Sequence, residues 1–410
     1  MKSQPQSSFV DIRNHSDIRM AKPKIFVGVS GGVDSSVALA LLKEQGYDIT
    51  GVFLKVWSPD WLPCTWRDER RSAMRVCATL GVPFITLDCE QEYKDKIVDY
   101  MIAEYKAGRT PNPDVFCNKY IKFGIFLSKA IEAGADYVAT GHYARVEERS
   151  TNNELRMEQF ESDPFVHRTS YIVLRESADR EKDQSYFLHQ LGQFELSRTL
   201  FPIGHLQKSE VRKLAQKFGL PTAEKKDSQG LCFIGKVDMK EFLSHYIQAQ
   251  PGDVLDEAGK VIGRHDGAVF YTIGERHGFE IFTHGESDPR LFVVTKDMLG
   301  NTITVGSRIK NDELRITNES DLNPLIRTSY IVHRHSMNWV SGHQPDLSNS
   351  FDVRFRYRQE KQKCRIVARM VLAKEMEYEI IPEKPQFGIA PGQLAVIYQG
   401  SICLGGGVIV

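Results

Sequence analysis

From Lys24 onward the chain alternates short apolar runs with amphipathic stretches. Ile25 to Val29 (IFVGV) predicts a buried strand; Val33, Val37 and Leu41 then recur at a spacing of four, one helix face, until Gly46 stops it. Ile49 to Val56 predicts a second strand, Arg67 to Leu80 a helix closed by Gly81, and Pro83 to Leu87 a third strand. Helices over Glu92 to Ala107 and Asn118 to Ala133 follow, then a strand over Tyr137 to Thr140. Repeated βαβ implies a mainly parallel sheet covered on both faces, with active groups beyond the carboxyl ends of its strands. Residues 147–170 are polar and irregular, which predicts a surface insertion or hairpin. From about Pro251 short alternating stretches and glycine turns take over, among them VFYTIG, NTITVG, VRFRYR and LAVIYQG, a texture of small β domains.

Composition narrows the class. The 410 residues suggest two or three domains, and 41% hydrophobic with 26% charged residues excludes a disordered tail, a collagen-like fibre or a disulfide mini-scaffold. No apolar run reaches the roughly 18 residues of a membrane-spanning helix, so no membrane is expected. Lysine plus arginine and aspartate plus glutamate are 53 each, so a nucleic-acid partner must rest on local patches. VRFRYR offers one: Arg354, Arg356 and Arg358 at spacing two would form a basic stripe on one strand face. The lysines from Lys208 to Lys226 read as a wet helix face. Seven cysteines, with no secretory signal, read as reduced cytoplasmic thiols. Residues 1–20 are polar, carry Asp11 and Asp17, and read as a disordered extension with Met20 as an alternative start.

The sharpest local signal is Ser30-Gly31-Gly32-Val33-Asp34-Ser35-Ser36, between a strand and a helix. Two glycines bring backbone N–H groups up to an anion, serine hydroxyls add donors, and the helix N-terminus adds partial positive charge. It lacks the Gly-Lys-Ser/Thr ending of a Walker A loop and the spacing of a dinucleotide fingerprint. Two cysteines stand out as well. In Thr110-Pro111-Asn112-Pro113-Asp114-Val115-Phe116-Cys117-Asn118, Asp114 reads as an N-cap, placing Cys117 in the first turn, where a thiolate is stabilised. In Lys225-Lys226-Asp227-Ser228-Gln229-Gly230-Leu231-Cys232-Phe233, Cys232 follows a polar, glycine-containing loop. Cys64, Cys77, Cys89, Cys364 and Cys403 read as structural, and no histidines form a metal-ligand pair.

SGGVDSS resembles the pyrophosphatase loop of enzymes that cleave ATP between its α and β phosphates. With the cysteine stretches, and with GVFLKVW, GADYVATGHYAR, KDQSYFL, KSEVRKLA, YTIGERHGF, PGQLAVIY and CLGGGVI in order, the chain from about Lys24 resembles the tRNA-specific 2-thiouridylases. The resemblance implies an α/β fold. A parallel-sheet ATP-binding domain over 24–227 would follow an extension over 1–23. A small central domain over 228–300 would carry the persulfide cysteine at its start, and a C-terminal β-barrel over 301–410 would bind tRNA.

The same resemblance implies site residues. ATP with magnesium would bind through Gly28, Val29, Ser30, Gly31, Gly32, Val33, Asp34 and Ser35, with Leu54 and Gly141 closing on the nucleotide. The wobble uridine of tRNAs for lysine, glutamate and glutamine would lie near Asn112, Pro113 and Asp114. Further tRNA contacts would fall at His142, Lys182, Asp183, Gln184, Arg356, Tyr357 and Gln393. ATP would adenylate the oxygen at carbon 2 of the uridine. Cys232 would bring sulfur as a persulfide from a relay protein or a cysteine desulfurase, with Cys117 as second thiol and transient disulfide partner and Asp114 as acid/base. The family's usual state, a monomer binding one tRNA, is expected here too. Leu54 stands where the family often has methionine, Gln229 where it usually has threonine and Glu275 where it usually has glutamine. Two other readings share parts of the pattern. A small-molecule ATP-pyrophosphatase ligase needs neither cysteine, and an RNA-binding module with an inactive loop would release no pyrophosphate.

Overall fold

Ile25 and Val27 alternate with Phe26 along the first strand, β1 (Lys24–Gly28), so each face of that strand buries an apolar side chain. The computed structural model describes residues 22–62, 66–150, 170–226, 238–283, 285, 289–307, 326–371 and 376–410. Around β1 lie β2 (Asp48–Lys55), β3 (Phe84–Asp88), β4 (Tyr137–Ala139) and β7 (Thr199–Leu200), in the order β3-β2-β1-β4-β7. Every pairing in this sheet is parallel, as the βαβ pattern predicts. One face packs Ile25, Val27 and Phe53 against α1 (Val33–Glu44), α2 (Trp66–Leu80) and the Lys208–Lys217 helix. The other packs Phe26, Val52 and Leu54 against two long helical runs over 90–106 and 113–132.

Both runs begin earlier than the periodicity suggests, and both contain a π-helical stretch, Lys94–Val98 in the first and Cys117–Ile125 in the second. A π turn rotates side chains away from the 3.6-residue period, which is why spacing alone misplaces these boundaries.

The polar stretch at 147–170 is part of a hairpin: β5 (Ala144–Ser150) pairs antiparallel with β6 (Ser170–Glu176). Its connecting residues 151–169 lie outside the described residues. Beyond the reach of any local pattern, β6 then pairs with the last strand, Ile402–Val408, so the hairpin is part of a nine-stranded C-terminal sheet. A bridge between Val332 and Ile409 brings the first strand of that unit back to its end, closing a β-barrel. The central unit is a separate five-stranded sheet around Val254, Tyr271, Val293 and Ile303.

Two sequence expectations fail here. VFYTIG is not a strand: Ala268–Phe270 is a 3-10 turn, and the Tyr271 ring turns into the core with its hydroxyl donating to the Gly278 carbonyl. VRFRYR does not present a three-arginine stripe, because the strand Phe351–Arg354 stops at Arg354. The Gln359 side-chain oxygen accepts from the Phe355 and Arg356 N–H groups (2.9 and 3.1 Å), replacing a ladder partner, and Arg358 turns to φ +63°. Among the described residues no helix is long and apolar enough to cross a membrane.

Candidate active site

The sheet delivers its loops to one edge. β1 ends at Gly28, and the next residues turn into α1 with Gly32 as N-cap. Gly31 sits at φ +76°, and a Cβ there would lie 2.4 Å from the Glu69 carbonyl oxygen, so only glycine makes this turn. The hydroxyls of Ser30 and Ser35 lie 3.2 Å apart, and Ser35 Oγ also accepts from Ser30 N–H (3.2 Å). Ser36 Oγ donates back to the Gly32 carbonyl at 2.7 Å. The turn after β4 closes onto this loop: a Cβ at Gly141 would lie 2.5 Å from Ser35 N. Leu54 is buried on the opposite sheet face, in the same cluster as Cys117.

Two lysines converge on the loop. Lys208 Nζ donates to both carboxylate oxygens of Asp34 (2.7 and 2.9 Å), and Tyr143 OH donates to Asp34 Oδ1 at 2.8 Å. Lys225 Nζ donates to the Gly31 carbonyl at 2.9 Å. The expectation that these lysines form a plain wet face is corrected for both, because the chain folds the Lys208–Lys217 helix against α1. A lysine at the first position of a helix, well away in sequence from SGGVDSS, was the available signal. Asp34, Ser30 and Ser35 offer one carboxylate and two hydroxyls. That set fits magnesium, which takes few protein ligands and completes its shell with phosphate oxygens and water. Among the described residues no group of three or more histidine, cysteine, aspartate or glutamate side chains is placed to hold a metal ion.

Asn112, not Asp114, caps the second long helix: its Oδ1 accepts from Val115 N–H at 3.3 Å, with Pro113 at the first helical position. Cys117 therefore lies in the second turn at the head of the π stretch, and it is fully buried. The expected helix-end stabilisation does not reach its thiol, since that field fades within the first turn. Asn112, Pro113 and Asp114 remain half-exposed and contiguous. This helix meets the phosphate loop through Lys122, whose Nζ lies 3.4 Å from His142 Nε2, next to Gly141. Cys232 and Gln229 lie outside the described residues, as does Cys64.

His142 itself is buried, with its ring against Phe123 and Phe201 and Nδ1 2.8 Å from Thr140 Oγ1. Burial, then the Lys122 ammonium, hold it well below the ordinary histidine range, so it is neutral. Burial likewise lowers His189 to about 4. Both rings stay neutral in the fold while the unfolded chain takes up protons below about pH 6.5, so stability is lost as pH falls from there. Each contributes up to about 1.4 kcal/mol per pH unit. His142→Gln should shrink the fall in Tm between pH 7 and pH 5; an unchanged fall would refute the assignment.

Residues 177–184 gather several expected tRNA contacts. Asp183 is buried, accepting from Ser177 N–H (2.9 Å), Ser185 Oγ (2.8 Å) and Arg354 Nη1 (3.1 Å). Gln184 exchanges two hydrogen bonds with the Tyr143 backbone (2.7 and 2.9 Å). Arg358 Nε donates to the Glu181 carbonyl (3.0 Å), and the Tyr357 ring lies 4.6 Å from Phe187. The structure thus brings Lys182–Gln184 beside Tyr357, with Arg354 and Arg358 as ties between units and Arg356 exposed on another side. Gln393 Oε1 accepts from Ala390 N–H (3.3 Å), close to where Thr110 N–H donates to the Pro391 carbonyl (2.8 Å).

Three family models match in succession: tRNA methyl transferase HUP domain over residues 23–236, tRNA methyl transferase PRC-barrel domain over 240–307, and aminomethyltransferase beta-barrel domain over 330–409. A curated relative, tRNA-specific 2-thiouridylase MnmA of Geobacillus thermodenitrificans, is 45% identical over 94% of both chains. The chain belongs to the tRNA-specific 2-thiouridylase family. The thiouridylase MnmA of Oceanobacillus iheyensis is 43% identical over 97% of this chain and 96% of its own. Against this thiouridylase background, the other cysteines keep their structural reading. Burial pushes the Cys77 thiol up to about 11 and the Cys89 and Cys364 thiols to about 12, and raises Cys403 further, so all four stay protonated.

Proposed function

We propose that the protein thiolates carbon 2 of the wobble uridine of tRNA, using ATP and a cysteine persulfide. Near-full-length identity to the 2-thiouridylases, with the SGGVDSS loop and both cysteines in place, carries this reading. Gly28 to Ser35 would cradle the triphosphate, and Gly141 would fix the start of α1 beside it. Asp34 would hold magnesium against the phosphates once Lys208 turns from the carboxylate to the β and γ phosphates. The ion supplies charge neutralisation there.

The uridine oxygen at carbon 2 attacks the α phosphorus, the bond to the bridging oxygen breaks, and pyrophosphate leaves. The adenylated carbon then accepts sulfur. Cys117 thiolate attacks Cys232 Sγ and the terminal persulfide sulfur departs with the electron pair to carbon 2. AMP leaves with the original oxygen, and a Cys117–Cys232 disulfide remains for an external thiol to reduce. Asp114, half-exposed four residues after Thr110, would handle the proton at the base. A relay protein or cysteine desulfurase would reload Cys232.

The test combines purified protein, unmodified tRNA, ATP, magnesium and a persulfide source, with nucleosides weighed by mass spectrometry. A uridine heavier by one oxygen-to-sulfur exchange is expected. Pyrophosphate release with a small amine substrate and no thiolated uridine would instead indicate a ligase.

A further inference from the structure

Separate stretches of the chain meet on one carboxylate. Asp34 sits in the first turn of α1, where Tyr143 OH donates to its Oδ1 (2.8 Å) and Lys208 Nζ donates to both of its oxygens (2.7 and 2.9 Å). The Asp34 side chain is 31% exposed, so a ligand arriving at the loop can reach it. Tyr143 is 3% exposed and packs in the apolar cluster that holds Val33 and Ile203. Lys208 Nζ lies 5.8 Å from the centroid of its ring.

The Tyr143 hydroxyl is held in place through its own backbone. Tyr143 N–H donates to Gln184 Oε1 (2.9 Å), and its carbonyl accepts from Gln184 N–H (2.7 Å). The next residue, Ala144, lies so close to Gly204 that a Cβ on that glycine would collide with the Ala144 carbonyl oxygen. The segment 177–184 also fixes the start of the Lys208 helix. Asp179 Oδ2 accepts from Lys208 N–H and the Ala178 carbonyl accepts from Gln207 Nε2, both at 2.9 Å. The blocks GADYVATGHYAR, KDQSYFL and KSEVRKLA, far apart in sequence, thus converge around Asp34.

The two donors on this carboxylate are not equivalent. An ammonium cancels the charge of Asp34, so Lys208 competes with any cation for the same oxygens. A phenol O–H occupies one lone pair and orients the carboxylate while leaving its charge intact. Once Lys208 turns to the phosphates, a half-exposed aspartate with no other tether would lose its fixed direction. We propose that Tyr143 is a positioning residue whose hydroxyl keeps Asp34 aimed at the phosphate loop, available to magnesium, when Lys208 lets go. The proposal rests on the reading of the loop as a magnesium-ATP site with Asp34 as the ligand.

The test uses the full chain. Tyr143→Phe removes the hydroxyl and keeps the ring that packs in the core and lies beneath Lys208. ATP binding is measured by calorimetry across a magnesium series for the wild type, Tyr143→Phe, Asp34→Asn and the double variant. Tm is recorded for each, and kcat and KM for pyrophosphate release are measured with unmodified tRNA. A hydrogen bond to a charged group is worth about tenfold, so the magnesium concentration giving half of the gain in ATP affinity should rise by about that factor in Tyr143→Phe. Metal-free ATP affinity and KM for tRNA should stay constant. The kcat should fall at limiting magnesium and recover at high magnesium, a recovery that a packing defect would not show. In the Asp34→Asn background, Tyr143→Phe should change the magnesium dependence no further, because the hydroxyl acts through that carboxylate. A wild-type magnesium dependence in Tyr143→Phe overturns the positioning role alone, and so does an additive loss in the double variant. Wild-type ATP binding indifferent to magnesium overturns the magnesium-ATP reading and the proposal with it.

Discussion

Replacing Cys117 by serine should lower tRNA thiolation by at least about 10³-fold, the scale seen when a nucleophile that splits a covalent intermediate is removed. The substitution is nearly isosteric in a fully buried position, so Tm should change by no more than a few degrees. The two half-reactions should separate. In the proposed order pyrophosphate release on adding tRNA comes before sulfur transfer, so it should persist for one turnover, because the loop from Gly28 to Ser35 is untouched. Thiolated uridine at wild-type rate in the variant would refute the role. Because Cys117 has no solvent exposure in this structure, the proposed reaction would also require the surrounding residues to part, a step that arrival of RNA at the half-exposed segment 112–114 would supply.

The second large effect is expected at Lys208. In this structure its ammonium is held by Asp34, at 2.7 and 2.9 Å from the two oxygens, in a pair that is mostly shielded from solvent. Binding of a triphosphate brings the charge that competes for it. Lys208→Ala should lower pyrophosphate formation about 10²- to 10³-fold, the cost of removing one positioned donor from developing charge. Lys208→Arg should recover part of it, and thiolation should fall in parallel with pyrophosphate release. Equal ATP affinity and turnover in the alanine variant would sink the idea. The backbone of Lys208 is itself positioned: its N–H donates to Asp179 Oδ2 at 2.9 Å, and Glu210 Oε2 accepts from Gln207 N–H at 2.7 Å.

The parallel sheet and the phosphate loop were legible because their signals are local. Ile25, Val27 and Val29 mark a buried strand, and Ser30 to Ser36 mark the turn that must follow it. The family was legible from blocks of residues in order, and the matched models bear it out. What escaped was set by distant partners or by departures from regular periods. Lys208 looks like any surface lysine until its helix lands on α1. Asp114 looks like a cap until Asn112 is seen to accept from Val115 N–H. The arginines of VRFRYR satisfy the strand period, but the Gln359 side chain ends the ladder and sends Arg354, Arg356 and Arg358 to Asp183, Gly388 and Glu181. No window of a few residues carries that information.

The hairpin of β5 and β6 departs from the parallel-sheet domain and completes the sheet of the C-terminal barrel, where Arg354 is also clamped by Glu176 at 3.1 Å and Asp183 at 3.1 Å. Deleting the barrel would uncover the edge of β6 that pairs with Ile402 and Cys403 and leave Glu176 and Asp183 without their guanidinium. The ends of the polypeptide are therefore not interchangeable modules joined by a linker. The hairpin and the barrel should therefore melt together in a thermal scan, and a swap of the C-terminal barrel between relatives should have to carry the hairpin with it.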